Sequence, residues 1–179
     1  MIQYCTNCVL PSCKPVTAKE GKKTNASAIS TINFKDGVCE ACRWNLIKEN
    51  IIDWKARESE LESLLNRCRS SDGSYDVIVP ASGGKDSVYV SHILKHKYGM
   101  TPLTVTWAPS LWTEQGRRNQ ENLVKSGFDN VLISPNGEIH RLLTKLAFTK
   151  LGHPFQPFIF GQRSVGPKMA LKHNVRLVF

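Results

Sequence analysis

No apolar run in the 179 residues approaches the roughly 20 needed to span a bilayer. The opening Met1-Ile2-Gln3-Tyr4-Cys5 lacks the basic-then-apolar pattern of a secretory leader. Read from these absences, the expected location is the cytoplasm, with no membrane role. Acidic residues are scarce: 15 stand against 24 lysines and arginines, for a net charge of +9. The shortfall is uneven, since residues 1–72 hold 11 basic and 9 acidic residues and residues 73–179 hold 13 and 6. The second half therefore suits an anionic ligand, although dispersed solvated lysines give the same count. Cysteine is absent after Cys68. The second half thus has no thiol for sulfur delivery or glutamine hydrolysis.

The six cysteines stand at positions 5, 8, 13, 39, 42 and 68. Cys5, Cys8, Cys39 and Cys42 form two Cys-x-x-Cys pairs, a spacing that supplies four thiolates to one tetrahedral Zn²⁺. A redox dithiol normally uses a single pair beside a βαβ unit, and disulfides rarely persist in a reducing compartment. The expectation is a structural zinc ribbon over residues 1–45, with Asp36-Gly37 turning the chain into the second knuckle. Residues 14–33 read as polar loop or irregular strands. Cys13 and Cys68 fall outside the metal pattern, and Cys68 reads as a buried free thiol.

From Asp53 onward Trp54, Leu61, Leu64, Leu65 and Cys68 recur at helical spacing. Asp53 is the expected N-cap, and residues 46–72 read as a connecting helix between the metal module and a nucleotide domain at 73–179. That domain alternates as a doubly wound α/β sheet does. Strands are expected at Tyr75–Pro80, Leu103–Trp107, Val131–Ser134 and Val175–Phe179, and helices at 87–98, 117–126, 138–151 and 163–173.

Between the first strand and first helix stands Ser82-Gly83-Gly84-Lys85-Asp86-Ser87. Glycines there let backbone approach an anion, and a helix N-terminus favours negative charge. The Walker spacing of glycines and lysine is absent. The loop instead resembles the pyrophosphate loop of the N-type ATP pyrophosphatases, Ser-Gly-Gly-x-Asp-Ser, at every fixed position. That likeness implies an adenine nucleotide α-hydrolase-like fold and cleavage of ATP between its α and β phosphates. Val79, Pro80, Ala81, Ser82, Gly83, Gly84, Lys85, Asp86, Ser87, Thr106 and Trp107 are the expected ATP-binding residues. Ser82, Lys85, Asp86 and Ser87 are expected to act on the leaving pyrophosphate, with Asp86 holding Mg²⁺ or ordering the loop.

Further segments extend the likeness: Tyr4-Cys5-x-x-Cys8-Val9-Leu10-Pro11, Gly37-Val38-Cys39-x-x-Cys42, Tyr75-Asp76-Val77-Ile78-Val79, Val105-Thr106-Trp107-Ala108-Pro109, Gly127-Phe128-Asp129-Asn130, Ser134-Pro135-Asn136-Gly137, His140-Arg141 and Pro157-Phe158-Ile159-Phe160-Gly161-Gln162. In this order they resemble the N-acetyl sugar amidotransferases of surface-polysaccharide (lipopolysaccharide O-antigen) biosynthesis. The resemblance implies conversion of an acetamido group of a nucleotide sugar to an acetamidino group, through an adenylate and ammonia. It implies ATP, Mg²⁺ and structural Zn²⁺ as cofactors. It further implies a separate glutaminase supplying ammonia, with a cyclase-like companion, and no nucleic acid. His140, Arg141, Gln162 and Arg163 are the expected contacts to the sugar nucleotide. Family members continue past the position of Phe179, so the sequence reads as truncated, keeping its zinc and at most weak ATP binding without turnover. The rival readings are a tRNA thiolase built on the same loop, and an inactive ATP-binding remnant.

Overall fold

The computed structural model describes residues 2–15 and 29–179. The expected polar loop between the knuckles therefore lies outside the described residues over 16–28. Two compact units divide the chain, Met1–Glu58 and Ser59–Phe179.

In the first unit, β1 (Cys13–Pro15) pairs antiparallel with β2 (Ile29–Thr31), and β3 (Phe34–Lys35) with β4 (Val38–Cys39). Asp36 and Gly37 join β3 to β4 with φ of 53° and 78°. Both central residues of a tight hairpin turn must take positive φ, which is why Asp-Gly occurs here. α1 (Glu40–Asn50) starts directly on the second knuckle, where the Cys39 sulfur accepts a hydrogen bond from the Cys42 N–H. The sequence pattern leaves this helix unannounced because it has no buried residue. α2 (Trp54–Cys68) begins as its spacing predicts, with Asp53 Oδ1 accepting from Ala56 N at 3.0 Å. Its Trp54 end is exposed, and its Leu65 end is buried.

The second unit is α/β. β5 (Val77–Pro80), β6 (Pro102–Trp107) and β7 (Asp129–Ile133) form a parallel sheet in the order β5-β6-β7. On the other side of β5, Val178 makes a parallel bridge to Ile78, with Ile78 N donating to Leu177 O and Phe179 N to Ile78 O. The expected fourth strand is thus present as a single bridge. The order reverses at β5, and in doubly wound sheets ligands bind outside the carboxyl ends of strands at such a reversal. The glycine loop sits at that end of β5.

Side chains alternate across the sheet as a pleat requires. Ile78, Leu103 and Val105 pack with Val165, Met169, Ala170 and Val175, largely from α6 (Gln156–Lys172). On the opposite face Val77 and Val79 meet Leu65, Leu94 and Met100. Both faces of β5 are covered, so it reads as an unbroken apolar run. α3 (Lys85–His92) continues into a π-helical turn, Ile93–Lys97, closed by Gly99 at φ 61°. α4 (Glu114–Lys125) is capped by Thr113 and α5 (Gly137–Leu151) by Asn136. α6 begins seven residues before the expected helix at 163. Pro157 occupies its first turn, where a missing N–H costs nothing.

One carboxylate ties the lower end of the sheet together. Asp76, 3% exposed, accepts from Ser70 N at 2.5 Å and from Thr101 N at 2.7 Å. Removing it strands two inward-facing donors. Asp76→Ala is therefore expected to cost about 2–4 kcal/mol in urea unfolding, and Asp76→Asn about half of that, because one acceptor remains. A loss below about 0.5 kcal/mol for the alanine variant would contradict this role.

Candidate functional site: a four-thiolate cluster and a glycine turn

The sulfurs of Cys5, Cys8, Cys39 and Cys42 lie within 4.8 Å of one another. Cys5 and Cys42 are 3.9 Å apart and Cys8 and Cys39 are 3.6 Å apart. A disulfide needs about 2.05 Å, whereas four sulfurs at 2.3 Å from a tetrahedral zinc stand about 3.8 Å apart. The spacing therefore fits a metal. Backbone N–H groups of Asn7 and Cys39 point at the Cys5 sulfur at 3.4 and 3.3 Å, and the Cys42 N–H points at the Cys39 sulfur at 3.5 Å. Such donors favour thiolate over thiol.

Without metal, Cys5 and Cys42 are shifted in opposite directions. The Cys39 N–H leads in lowering Cys5 to about 6, while the hydrogen bond to Cys8 leads in raising Cys42 to about 12. A divalent cation removes that conflict by binding all four as thiolates, with release of their protons. Its role would be structural, since four protein ligands leave no open position. Cys68, half-buried rather than buried, stands apart on α2. The Cys13 side chain lies outside the described residues.

The glycine turn separates two kinds of glycine. Gly83 has φ 78°, and a Cβ there would come within 2.7 Å of the Asn119 carbonyl carbon and 2.8 Å of Gln120 N on α4. Only glycine fits. At Gly84 a Cβ would meet nothing nearer than Ser82 Oγ at 4.0 Å. Gly84 is the N-cap of α3, and no side chain caps that helix. Its first N–H groups therefore have no capping side chain, and Gly84, Asp86 and Ser87 border open space, the arrangement that receives an anion.

That space is a cleft of about 600 Å³. Pro80, Ala81, Ser82, Gly84, Asp86, Ser87 and Trp107 line it from the sheet and turn, and Gln162 and Arg163 from α6. The segment between β6 and α4 adds Pro109, Leu111, Trp112 and Thr113, and the first turn of α4 adds Gly116, all of which sequence reasoning missed. The signal available was position alone, since loops at strand carboxyl ends build such sites.

Other expected residues lie elsewhere. Val79, 1% exposed, faces α2 in the core. Thr106, equally buried, donates its hydroxyl to the Ala81 carbonyl at 2.5 Å. Strand parity turns both away from the cleft. Gly83 and Lys85 line a small hollow behind the turn, against α4. Lys85 pairs with Asp86 at 2.6 Å, with both side chains exposed. His140 and Arg141 line a neighbouring hollow at the start of α5, which shares Pro109 and Trp112 with the cleft. His140 also borders an apolar hollow between α5 and α6, so the four expected sugar contacts do not share one cavity. Trp107 stands at a second boundary, bordering both the cleft and that apolar hollow.

No protein-family model matches the chain. An uncharacterised protein of Methanocaldococcus jannaschii, MJ1599, is 30% identical over 73 residues, which is 41% of this chain and 26% of that protein. The NMN synthetase of Francisella tularensis is similar in structure, with a TM-score of 0.45 at 17% identity over 70% of this chain and 53% of that one. The chain therefore spans about a quarter of the curated relative and about half of the solved structure. Likeness at this level leaves the activity to the site itself.

Metal analysis should find about one zinc per chain. Cys5→Ser and Cys42→Ser should lose it, while Cys13→Ser should retain it. Equal zinc in all three variants would contradict the cluster.

Proposed function

We propose that the chain belongs to an ATP-dependent amidotransferase that converts an acetamido group of a nucleotide sugar to an acetamidino group. The observation that carries the nucleotide half of this reading is the open, uncapped α3 N-terminus at Gly84, facing a cleft that also holds Arg163. Fixed N–H groups on one wall and a guanidinium on the other suit a polyphosphate. The sugar half rests on the motif resemblance that runs through the chain.

An amide oxygen leaves poorly, so ammonia alone attacks an acetamido carbon too slowly. Adenylation removes that obstacle. The acetamido oxygen attacks the α-phosphorus of ATP and the bond to pyrophosphate breaks. Ammonia then adds to the imidate carbon, AMP departs with the former amide oxygen, and loss of a proton leaves the amidine. The turn acts on the first step. N–H groups at Gly84 and the start of α3, with the Ser82 and Ser87 hydroxyls, receive the charge that develops on pyrophosphate. Ser87 donates its one hydroxyl proton to Gly84 O at 3.1 Å, which braces the free turn, and it reaches pyrophosphate only by giving up that bond. Asp86 lines the same cleft, and its carboxylate would hold Mg²⁺ or order the loop. Lys85 reaches the phosphates only by leaving its pair with Asp86. Ammonia comes from a separate glutaminase.

Incubation of the full-length protein with ATP, Mg²⁺, ammonia and a panel of acetamido nucleotide sugars, beside unmodified tRNA, tests the reading. Sugar-dependent release of pyrophosphate and a product about one dalton lighter is expected, oxygen having been replaced by NH. Release that depends on tRNA instead would favour a base-modifying enzyme.

The two glycines give a sharper expectation. Gly84→Ala should leave stability within about 0.5 kcal/mol and weaken ATP at least about tenfold, because its methyl enters the ligand's space alone. Gly83→Ala should instead unfold the second unit early, because its methyl meets α4 backbone. Unchanged ATP affinity in Gly84→Ala would make the turn purely structural.

A further inference from the structure

The Thr106 hydroxyl, removed above from the cleft, belongs to a closed ring of contacts around the glycine turn. Its proton goes to the Ala81 carbonyl, the residue immediately before Ser82. Its oxygen accepts from Asn130 Nδ2 at 3.0 Å. The second Asn130 N–H goes to Thr104 Oγ1 at 3.0 Å, and Thr104 gives its own proton to Asp129 O at 2.6 Å. Asn130 Oδ1 accepts from Gln120 Nε2 at 3.3 Å. The backbone N of the same Gln120 is one of the atoms that bars a side chain at Gly83. The path therefore runs from the turn into the sheet, across to α4, and back onto the turn.

Donor and acceptor counts fix the direction of every bond. Each threonine hydroxyl has one proton, and both protons are committed to carbonyls. The threonines can then only accept from Asn130, so its amide must face them with nitrogen and face Gln120 with oxygen. Neither threonine nor Asn130 has a spare proton to offer an alternative partner. A satisfied polar network inside a packed sheet is rigid, and losing one member costs more than one bond.

We propose that Thr106, Asn130 and Gln120 are positioning residues that hold the glycine turn in its anion-receiving shape. Thr106 fixes the carbonyl of Ala81 on one side of the turn, and Gln120 fixes α4 against Gly83 on the other. None of the three touches phosphate. They set where the N–H groups behind Gly84 point. The proposal rests on the nucleotide reading of the cleft.

Titration with ATP and Mg²⁺, alongside urea unfolding, tests it in four variants. Thr106→Val removes the bond to the turn while keeping side-chain shape, and should weaken ATP about threefold to tenfold. Thr106→Ser keeps the hydroxyl and should bind within about twofold of the parent. Thr104→Val deletes the equivalent hydroxyl two residues along, whose proton goes to Asp129 rather than the turn. It should lose similar stability yet bind ATP within about twofold of the parent. Gln120→Ala, at the helical end of the ring, should weaken ATP at least about twofold, and serves if the valine variant does not fold. Equal ATP affinity in Thr106→Val and Thr104→Val, or an unaffected Gln120→Ala, would overturn the proposal. Failure of the unmodified protein to bind ATP would overturn the nucleotide reading, and this inference with it.

Discussion

The second unit depends on a contact with no side chain in it. At Gly83 the turn meets the backbone of α4 so closely that a single added carbon would stand 2.7 Å from a carbonyl carbon. That approach fixes the turn's path between β5 and α3. It leaves Gly84 on the open side, where α3 has no capping side chain. The cleft, its exposed N–H groups and the facing Arg163 all take their geometry from that seat. Similar constraints act lower in α6. A Cβ at Gly161 would enter the Trp107 indole, and one at Gly166 would stand 2.9 Å from Pro80 Cγ. Glycine thus sets how near the last helix comes to the strand that delivers the turn.

The first unit solves a different problem. Among its described residues the buried side chains are Cys5 and Cys39, and α1 buries nothing. So small a module has little apolar surface to lose from water, and a metal commonly replaces the missing core. The hairpin at Asp36-Gly37 and the N–H groups aimed at sulfur bring four thiols within one coordination sphere.

Much of this was legible in the sequence. The buried strands declare themselves because both faces are covered, so Val77, Ile78 and Val79 stand together without polar interruption. The cysteine pairs and the glycine turn are legible because few residue types do their work. α1 was not, since a helix with no buried face has no hydrophobic period to show. The start of α6 was hidden by Pro157 and Gly161, which local propensity reads as breaks and packing reads as requirements. Within the site, Val79 and Thr106 are expected from their place at or near the ends of the first two strands. One pleat decides whether such a residue faces ligand or core, and sequence distance does not carry that parity. The split of His140 and Arg141 from Gln162 and Arg163 has the same origin, because two different helices bring them to different cavities.

The central claim is that the turn at residues 82–87 receives phosphate through its backbone. Backbone amide NMR with added inorganic pyrophosphate reads this directly. The account predicts that the largest saturable shifts fall on the N–H groups of Gly84, Lys85 and Asp86, at the uncapped start of α3. Saturable shifts confined to residues outside the turn, or none at all, would contradict it.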